Sequence, residues 1–320
     1  MATVRSTVSR ALQAPLRCRV SWQQSAPLRC FSSAPDNVRA LMLSRPDKHI
    51  DDYLYPQNSH LLTTLLNDLL PGTIESSSPL ITRPTTGKLP PGAHNVYFPL
   101  QTRTSLLACD GADADHVPPA FKLATPEDPM GGRRLWGGGR VDFLRDMHLD
   151  GERASCTERI ADVRVKDGGN VWVDLERRYG HHEHGQREPS ILERRTLIFV
   201  DKVDETPRRK MKSPTQPTAT YQFTPTATHL FTFSALTQNA HFIHLDRKNA
   251  LVHGPLMQCI MLRALGRHGD VASLEYRNLA PLMVGEVDAG VCVKKGKDSW
   301  DVWIEDGQGG MVARGKAQMK

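Results

Sequence analysis

Residues 230–265 read LFTFSALTQNAHFIHLDRKNALVHGPLMQCIMLRAL, and the chain is organised around them. Asn239, His241 and His244 stand close together, Asn239 and His244 five positions apart. His253-Gly254-Pro255 follows. Leu256, Met257, Ile260, Met261 and Leu265 then fall at spacings that share one face of a helix. The pattern predicts a polar loop that passes through a glycine into a mostly apolar helix. A helix start carries backbone N–H groups without intrahelical acceptors, and glycine lets a ligand approach them. A histidine just upstream can move a proton near neutral pH. An isolated histidine would more simply be a core residue satisfied by a backbone carbonyl. Here Asn239 precedes His244, Asp246 follows it, and His253-Gly254 opens the helix.

Outward from this stretch, one order of elements occurs twice. FLRDMHLDGE at 143–152 and LEYRNLAPLMVGE at 274–286 each join an aromatic-bearing strand to a Gly-Glu turn. After each come a strand, a charged turn (Lys166-Asp167; Lys297-Asp298), a Trp-bearing strand (NVWVDLE; SWDVWIE) and a last strand (ERRTLIFV; MVARGKAQM). Val171, Val173 and Leu175 alternate with Trp172, Asp174 and Glu176, the period of a strand. Each copy has one candidate helix before its strands. These are HLLTTLLNDLL at 60–70, stopped by Pro71-Gly72, and 255–265. Two antiparallel sheets, each wrapping a helix, predict an α+β fold whose sheets pair edge to edge. The expected divisions are 1–35, a first half at 36–203, a Pro-, Thr- and Lys-rich linker at 204–220, and a second half at 221–320.

The motif resembles the hydratase/dehydratase branch of the hot-dog fold, the MaoC-like proteins. That branch carries a Ser-Gly-Asp-x-Asn-Pro-(Ile/Leu)-His-x-Asp pattern and then a His-Gly-(Met/Pro)-Leu helix start. Here the line is Thr237-Gln238-Asn239-Ala240-His241-Phe242-Ile243-His244-Leu245-Asp246, then His253-Gly254-Pro255-Leu256. It is most similar to the fungal mitochondrial 3-hydroxyacyl-thioester dehydratases and the bacterial mesaconyl-CoA hydratases. These tend to read Ser-Ala-Leu-Thr-x-Asn-x-His-x-Ile-His, as 234–244 does. The resemblance implies a double hot-dog, His244 as catalytic base and acid, Asn239 as its polar partner, and the Gly254 N–H as oxyanion donor. It places His241 and His253 at the substrate. It implies no cofactor and no metal. Asn239 stands where most of the branch has Asp, and an Asn cannot act as an acid. The first half, without a motif of this kind, would be a non-catalytic copy that shapes an acyl channel. The connection from His244 to Gly254 is shorter than usual and lacks an overhanging helix. That predicts a channel more open to solvent.

The remaining residues narrow the class. With 39% hydrophobic and 24% charged residues the composition is globular, and no apolar run is long enough to span a bilayer. The net charge is +6, and five of those charges are Arg5, Arg10, Arg17, Arg19 and Arg29, before any Asp or Glu. Arg without acids, with many Ser, Thr and Ala, predicts a mitochondrial transit peptide and a matrix location. Without it the charge is +6 − 5 = +1, which argues against nucleic acid as a partner. Six scattered cysteines with no Cys-x-x-Cys spacing argue against a disulfide framework or structural zinc. His181-His182-Glu183-His184 reads as a solvated hairpin tip, and zinc at His241, His244 and His253 lacks a carboxylate or Cys ligand. GGRRLWGGG at 131–139 lacks the Gly-Lys-Ser/Thr ending of a phosphate loop and reads as a turn entering a strand. Residues 108–129 read as an insertion or mobile loop. The expected activity is reversible dehydration of (3R)-hydroxyacyl thioesters to trans-2-enoyl thioesters in mitochondrial type II fatty acid synthesis. A mesaconyl-CoA-type hydratase and an inactive acyl-binding protein are the alternatives. The partner is an acyl-carrier-protein or CoA thioester, and a monomer and a homodimer are both compatible.

Overall fold

The alternation expected for the first half holds along its strands. In β4, Val171–His181, the residues Val171, Val173, Leu175, Arg177 and Tyr179 are buried, while Trp172, Asp174 and Arg178 are partly exposed; Glu176, expected outside with them, is buried and departs from the period, ion-paired with Arg159. The computed structural model describes residues 35–70, 86–128, 130–166, 169–181, 188–201, 211–213, 215–246, 249–285 and 288–320. The expected transit peptide, most of the linker and His182 to His184 lie outside them. In chain order the elements are α1 (Pro35–Leu43), β1 (Lys48–Tyr53), α2 (Pro56–Leu69), β2 (Arg133–Phe143), β3 (Arg153–Val165), β4 and β5 (Ile191–Val200). The second half has β6 (Ala219–Phe223), α3 (Ala227–Thr237), α4 (Gly254–Leu265), β7 (Val271–Asn278), β8 (Ala289–Lys295), β9 (Trp300–Glu305) and β10 (Met311–Met319).

The strands form one antiparallel sheet, ordered β1-β3-β4-β5-β2-β7-β10-β9-β8-β6. From the centre outward, β2 matches β7, β5 matches β10, β4 matches β9, β3 matches β8 and β1 matches β6. The repeat is thus a double hot-dog, joined where Gly138–Asp142 of β2 pairs with Arg277–Ser273 of β7. Because β6 begins at Ala219, the second half takes in the last two residues read as linker.

Helix α4 buries ten of its twelve residues, on all sides rather than along one stripe, which marks a central helix. Its place in the first half differs from the expected pairing of 60–70 with 255–265. By position α2 follows β1 as α3 follows β6. The slot of α4 is taken by a 3₁₀ turn, Ala93–Val96, with Tyr97 and Phe98. Of the stretch 131–139, Gly131 and Gly132 lead into the strand and residues 133–139 lie in β2 itself. Gly138 has φ 134°, and a Cβ there would lie 2.3 Å from the Tyr276 carbonyl oxygen. One at Gly139 would lie 2.0 Å from that of Arg194. The glycines let the neighbouring strands close on a bulge.

The concave face of the first sheet is not uniformly apolar. Ala154, Cys156, Tyr179 and Ile191 pack at one end with α2 and the 3₁₀ turn, and Val163, Val173, Leu197 and Phe199 at the other with α1. Between them lies a buried charged band. Arg177 meets Glu158 at 3.2 Å and Arg195 meets Glu193 at 2.7 Å. Such buried charges are tolerable only when paired.

Candidate active site

The histidine loop is built by short-range bonds. Helix α3 starts at a capping box, with Thr226 Oγ1 accepting from the His229 N–H. It ends where Gln238 turns left-handed at φ 53°, and the Asn239 N–H donates to the Ser234 carbonyl at 2.9 Å. Asn239 Oδ1 accepts from the His241 N–H at 3.0 Å, an Asx turn that starts the 3₁₀ turn Phe242–His244. The returning chain closes on this turn. The Leu251 N–H donates to the Ile243 carbonyl at 2.8 Å, and His244 Nδ1 lies 2.7 Å from the Leu251 carbonyl. A carbonyl can only accept, so Nδ1 carries the proton and Nε2 presents the lone pair.

The loop meets the α4 start through stacked rings. His253 lies parallel to His244, centroids 3.7 Å apart at 22°, and edge-on to Phe233. Its Nε2 is 2.8 Å from Ser234 Oγ, and the residue is fully buried. His253 occupies the N-cap of α4 without a capping side-chain bond, and Pro255 has no N–H to satisfy. The Gly254 N–H belongs to the first turn, and no acceptor is found for it among the described residues. The glycine itself answers to packing. A Cβ at Gly254 would fall 2.4 Å from Trp136 Cγ, so the Trp136 ring fills the space a side chain would need.

The five residues singled out in the sequence therefore gather in one place. His241 and His244 ring centroids are 5.7 Å apart, and Asn239 is half-buried at the loop's edge. Burial pushes the His244 imidazole down to about 3, against the raising effect of the Leu251 carbonyl. Burial, with the Arg134 charge adding, holds His241 at about 3. His253 is pushed well below the usual range by burial and by the neighbouring histidines. All three are neutral at pH 7. His244 stacks on His253 while the His241 ring is tilted to it, and His244 Nδ1 and His253 Nε2 are turned to Leu251 and Ser234, an arrangement that does not suit a shared metal.

Three residues of the first half hold this site. Asp110 is buried, and its carboxylate takes a bidentate pair from Arg134 at 3.0 and 3.1 Å. His241 Nε2 lies 3.4 Å from Asp110 Oδ2, and the Phe242 N–H donates to the Asp110 backbone carbonyl at 3.2 Å. Gly111, at φ 82°, packs so closely that a Cβ would meet the Ala240 carbonyl oxygen at 2.2 Å. The stretch expected to be an insertion or mobile loop is thus docked on the histidine loop, which it covers. The third residue is Trp136, locked by Nε1 donating to Tyr276 Oη at 2.8 Å and by Arg195 over its ring.

The first half also carries a His94-Asn95 pair of a different kind, His94 buried and Asn95 half-buried. Asn95 Nδ2 donates to Gln258 Oε1 of α4 at 2.9 Å, and His94 sits 3.6 Å from Glu193. Among the described residues, Asp113, His116 and Glu158 have the spacing of metal ligands. Lys48 already neutralises Asp113 and Arg177 neutralises Glu158, so the group is closed as an ion-pair network. A cleft of about 420 Å³ opens by Pro90, Pro91, Arg263 and Arg267. It lies at the other end of α4 from Gly254, about 18 Å by helix rise, and shares no residue with the motif.

Residues 92–284 match the family described as hydroxyacyl-thioester dehydratase type 2. The chain belongs to this family. A mitochondrial hydroxyacyl-thioester dehydratase type 2 of Schizosaccharomyces pombe is 25% identical over 253 residues, covering 68% of this chain and 80% of that protein. A mesaconyl-C(4)-CoA hydratase of Chloroflexus aurantiacus is 27% identical over 212 residues, covering 61% and 71%. Both names denote hydro-lyases, and the family member described here is an enzyme of that class. In fold, the chain is similar to a MaoC-like dehydratase of Phytophthora capsici, with TM-score 0.63 and 14% identity, covering 87% of this chain and 96% of that one. It is likewise similar to HtdX of Mycobacterium tuberculosis, with TM-score 0.56 and 14% identity, covering 85% and 100%.

Proposed function

We propose that the protein dehydrates (3R)-hydroxyacyl thioesters to trans-2-enoyl thioesters, reversibly, with His244 as the proton carrier. The observation that carries this is the single tautomer forced on His244. Its Nδ1–H is committed to Leu251, which leaves the lone pair on Nε2, and its ring stacks on His253, the N-cap residue of a helix start without a side-chain cap. In the dehydration direction Nε2 takes the α-proton. The electron pair moves into the carbonyl, whose oxygen receives the Gly254 N–H, and the thioester becomes an enolate. The enolate then expels the β-hydroxyl, which leaves as water with the proton from the imidazolium. Burial keeps His244 neutral with Nε2 unprotonated; it also lowers its strength as a base, while the imidazolium formed on taking the α-proton readily gives that proton to the leaving hydroxyl. Asn239 Oδ1 is occupied by the His241 N–H, so its amide Nδ2 is the group left to hold the hydroxyl or water. His241 and His253 are assigned as supports of the loop and of the His244 ring, His241 beside Asp110 and His253 stacked on His244 with Nε2 at Ser234.

The pathway reading, mitochondrial type II fatty acid synthesis on carrier-bound substrates in the matrix, rests on the mitochondrial relative and on the acid-free arginines at the N-terminus. N-terminal sequencing of protein from isolated mitochondria tests it; a mature chain that keeps Met1 or Ala2 counts against import processing. The Chloroflexus relative supports a second reading, a short-chain CoA hydratase. Hydration of crotonyl-CoA, mesaconyl-CoA and an enoyl-carrier substrate by the purified chain separates the two. His244→Ala is expected to abolish turnover with the melting temperature nearly unchanged. A His244→Ala variant that keeps the parent rate refutes the assignment, and a parent inactive on all three leaves an acyl-binding protein.

A further inference from the structure

We infer that Asp110 and Arg134, both from the half without the motif, are positioning residues for the reaction proposed above. They hold the histidine loop at its working distance from the α4 start. The inference rests on that reading of the site. The segment 240–244 has two contacts to Asp110, one to its backbone and one to its side chain. The Phe242 N–H donates to the Asp110 carbonyl, and the His241 ring faces the Asp110 carboxylate. His241 Nδ1 accepts from the Ile243 N–H at 3.3 Å, so Nε2 carries the ring's proton; it lies 3.4 Å from Asp110 Oδ2, near the carboxylate but without hydrogen-bond geometry to it. The His241 carbonyl in turn accepts from the His244 N–H at 3.1 Å. A displacement of Asp110 therefore reaches His244 through a single residue.

Asp110 cannot shift freely, because Arg134 fixes both of its carboxylate oxygens and also donates to the Asp113 carbonyl at 2.7 Å. A bidentate guanidinium–carboxylate pair sets angle as well as distance. Arg134 lies on β2 two positions before Trp136, which packs on Gly254. One strand thus carries the support for the proton carrier and the support for the oxyanion donor. Hydrogen bonds alone would give a structural ion pair; its placement between β2 and the loop gives it a catalytic consequence, since a misplacement near 1 Å can cost about 100-fold in rate.

The test compares Asp110→Asn, the paired Asp110→Asn/Arg134→Gln variant and each combined with His241→Asn, in thioester hydration and in NMR of the histidine ring protons. Asp110→Asn leaves Arg134 without its carboxylate and should lower stability, and the paired variant removes both charges together, so it reads the same loss if the single variant fails to fold. Expected is a loss between about 10-fold and about 100-fold in kcat, with KM changed less than about threefold. Combining Asp110→Asn with His241→Asn should lose no more than the larger single loss, because both act through one loop. Multiplying losses, or a folded paired variant with parent kcat, overturn the inference. A parent chain inactive on every thioester sinks the proposed function instead. The positioning role is then read from the His241 and His244 ring resonances: displaced in folded Asp110→Asn they support it, unchanged they overturn it.

Discussion

Lowering the pH from 7 to 5 should destabilise this protein well before its carboxylates titrate. His241 and His244 are each held at about 3 in the folded chain, against about 6.5 for an unfolded histidine. Between those values the unfolded state binds one more proton per histidine than the native state, so stability falls as pH falls. Each histidine contributes about 1.4 kcal/mol per pH unit below 6.5, hence roughly 2 kcal/mol at pH 5 and roughly 4 kcal/mol for the two. His253 is shifted in the same direction by burial and adds to the loss. The acidic groups with lowered affinity, Asp113, Glu158 and Glu176, stabilise the fold above the ordinary carboxylate range and lose that only below about 4.5. The window from 6.5 to 5 therefore belongs to the histidines. Urea unfolding followed by tryptophan fluorescence at pH 7, 6 and 5 measures the effect, and a His241→Gln/His244→Gln variant should show a shallower slope. Because a loss of roughly 4 kcal/mol is a large part of a domain's stability, the midpoint should move by more than about 1 M. An unchanged midpoint between pH 7 and 5 would refute the burial of neutral imidazoles.

Gly254→Ala places a methyl 2.4 Å from a Trp136 ring that Tyr276 and Arg195 keep from moving. Overpacking of that kind costs about 1–3 kcal/mol, so differential scanning should show a melting temperature lower by about 2–8 °C; an unchanged value would mean that Trp136 is free to give. Lengthening the connection between Asn249 and Leu251 should lower the hydration rate, because it separates the Leu251 carbonyl from His244 Nδ1. A gain in rate on insertion would show that a longer connection serves the site better.

The repeat was legible because it rests on strand alternation and on turn residues, which report local geometry directly. Val171, Val173 and Leu175 turn inward as their period requires, and the paired Trp-bearing strands occupy matching places in one sheet. Helix α3 was not legible. Phe231 and Ala235 are exposed while Leu230 and Phe233 are buried, so its apolar residues fall on all sides and leave no periodic face. Its signal lay in the Thr226 cap, which was overlooked. In the site, the sequence neighbours His241, His244 and His253 were found together, because a short loop and a helix start cannot separate them far. Asp110, Arg134 and Trp136 were not, since they stand more than 100 positions upstream of His241 and nothing local marks a long-range partner. The one available hint was Asp110-Gly111 in a polar stretch, a turn signal that the structure uses to bring backbone against backbone at Ala240.

Among the described residues, the short connection holds His244 in a buried setting rather than the solvent-open one expected. Its length is set by two bonds, the Leu251 N–H to Ile243 and His244 Nδ1 to the Leu251 carbonyl, which bring the chain straight back beside the loop it has just left. A longer connection could cover the site but would not by itself hold the imidazole. Here the holding is done by the connection and the covering by the other half, through Asp110 and Gly111. His241 and His244 are accordingly 7% and 9% exposed, not open to solvent. A half that carries no motif can be kept for this alone. It supplies a strand joined to β7, and from that strand Arg134 reaches Asp110 beside the histidine loop and Trp136 packs on Gly254.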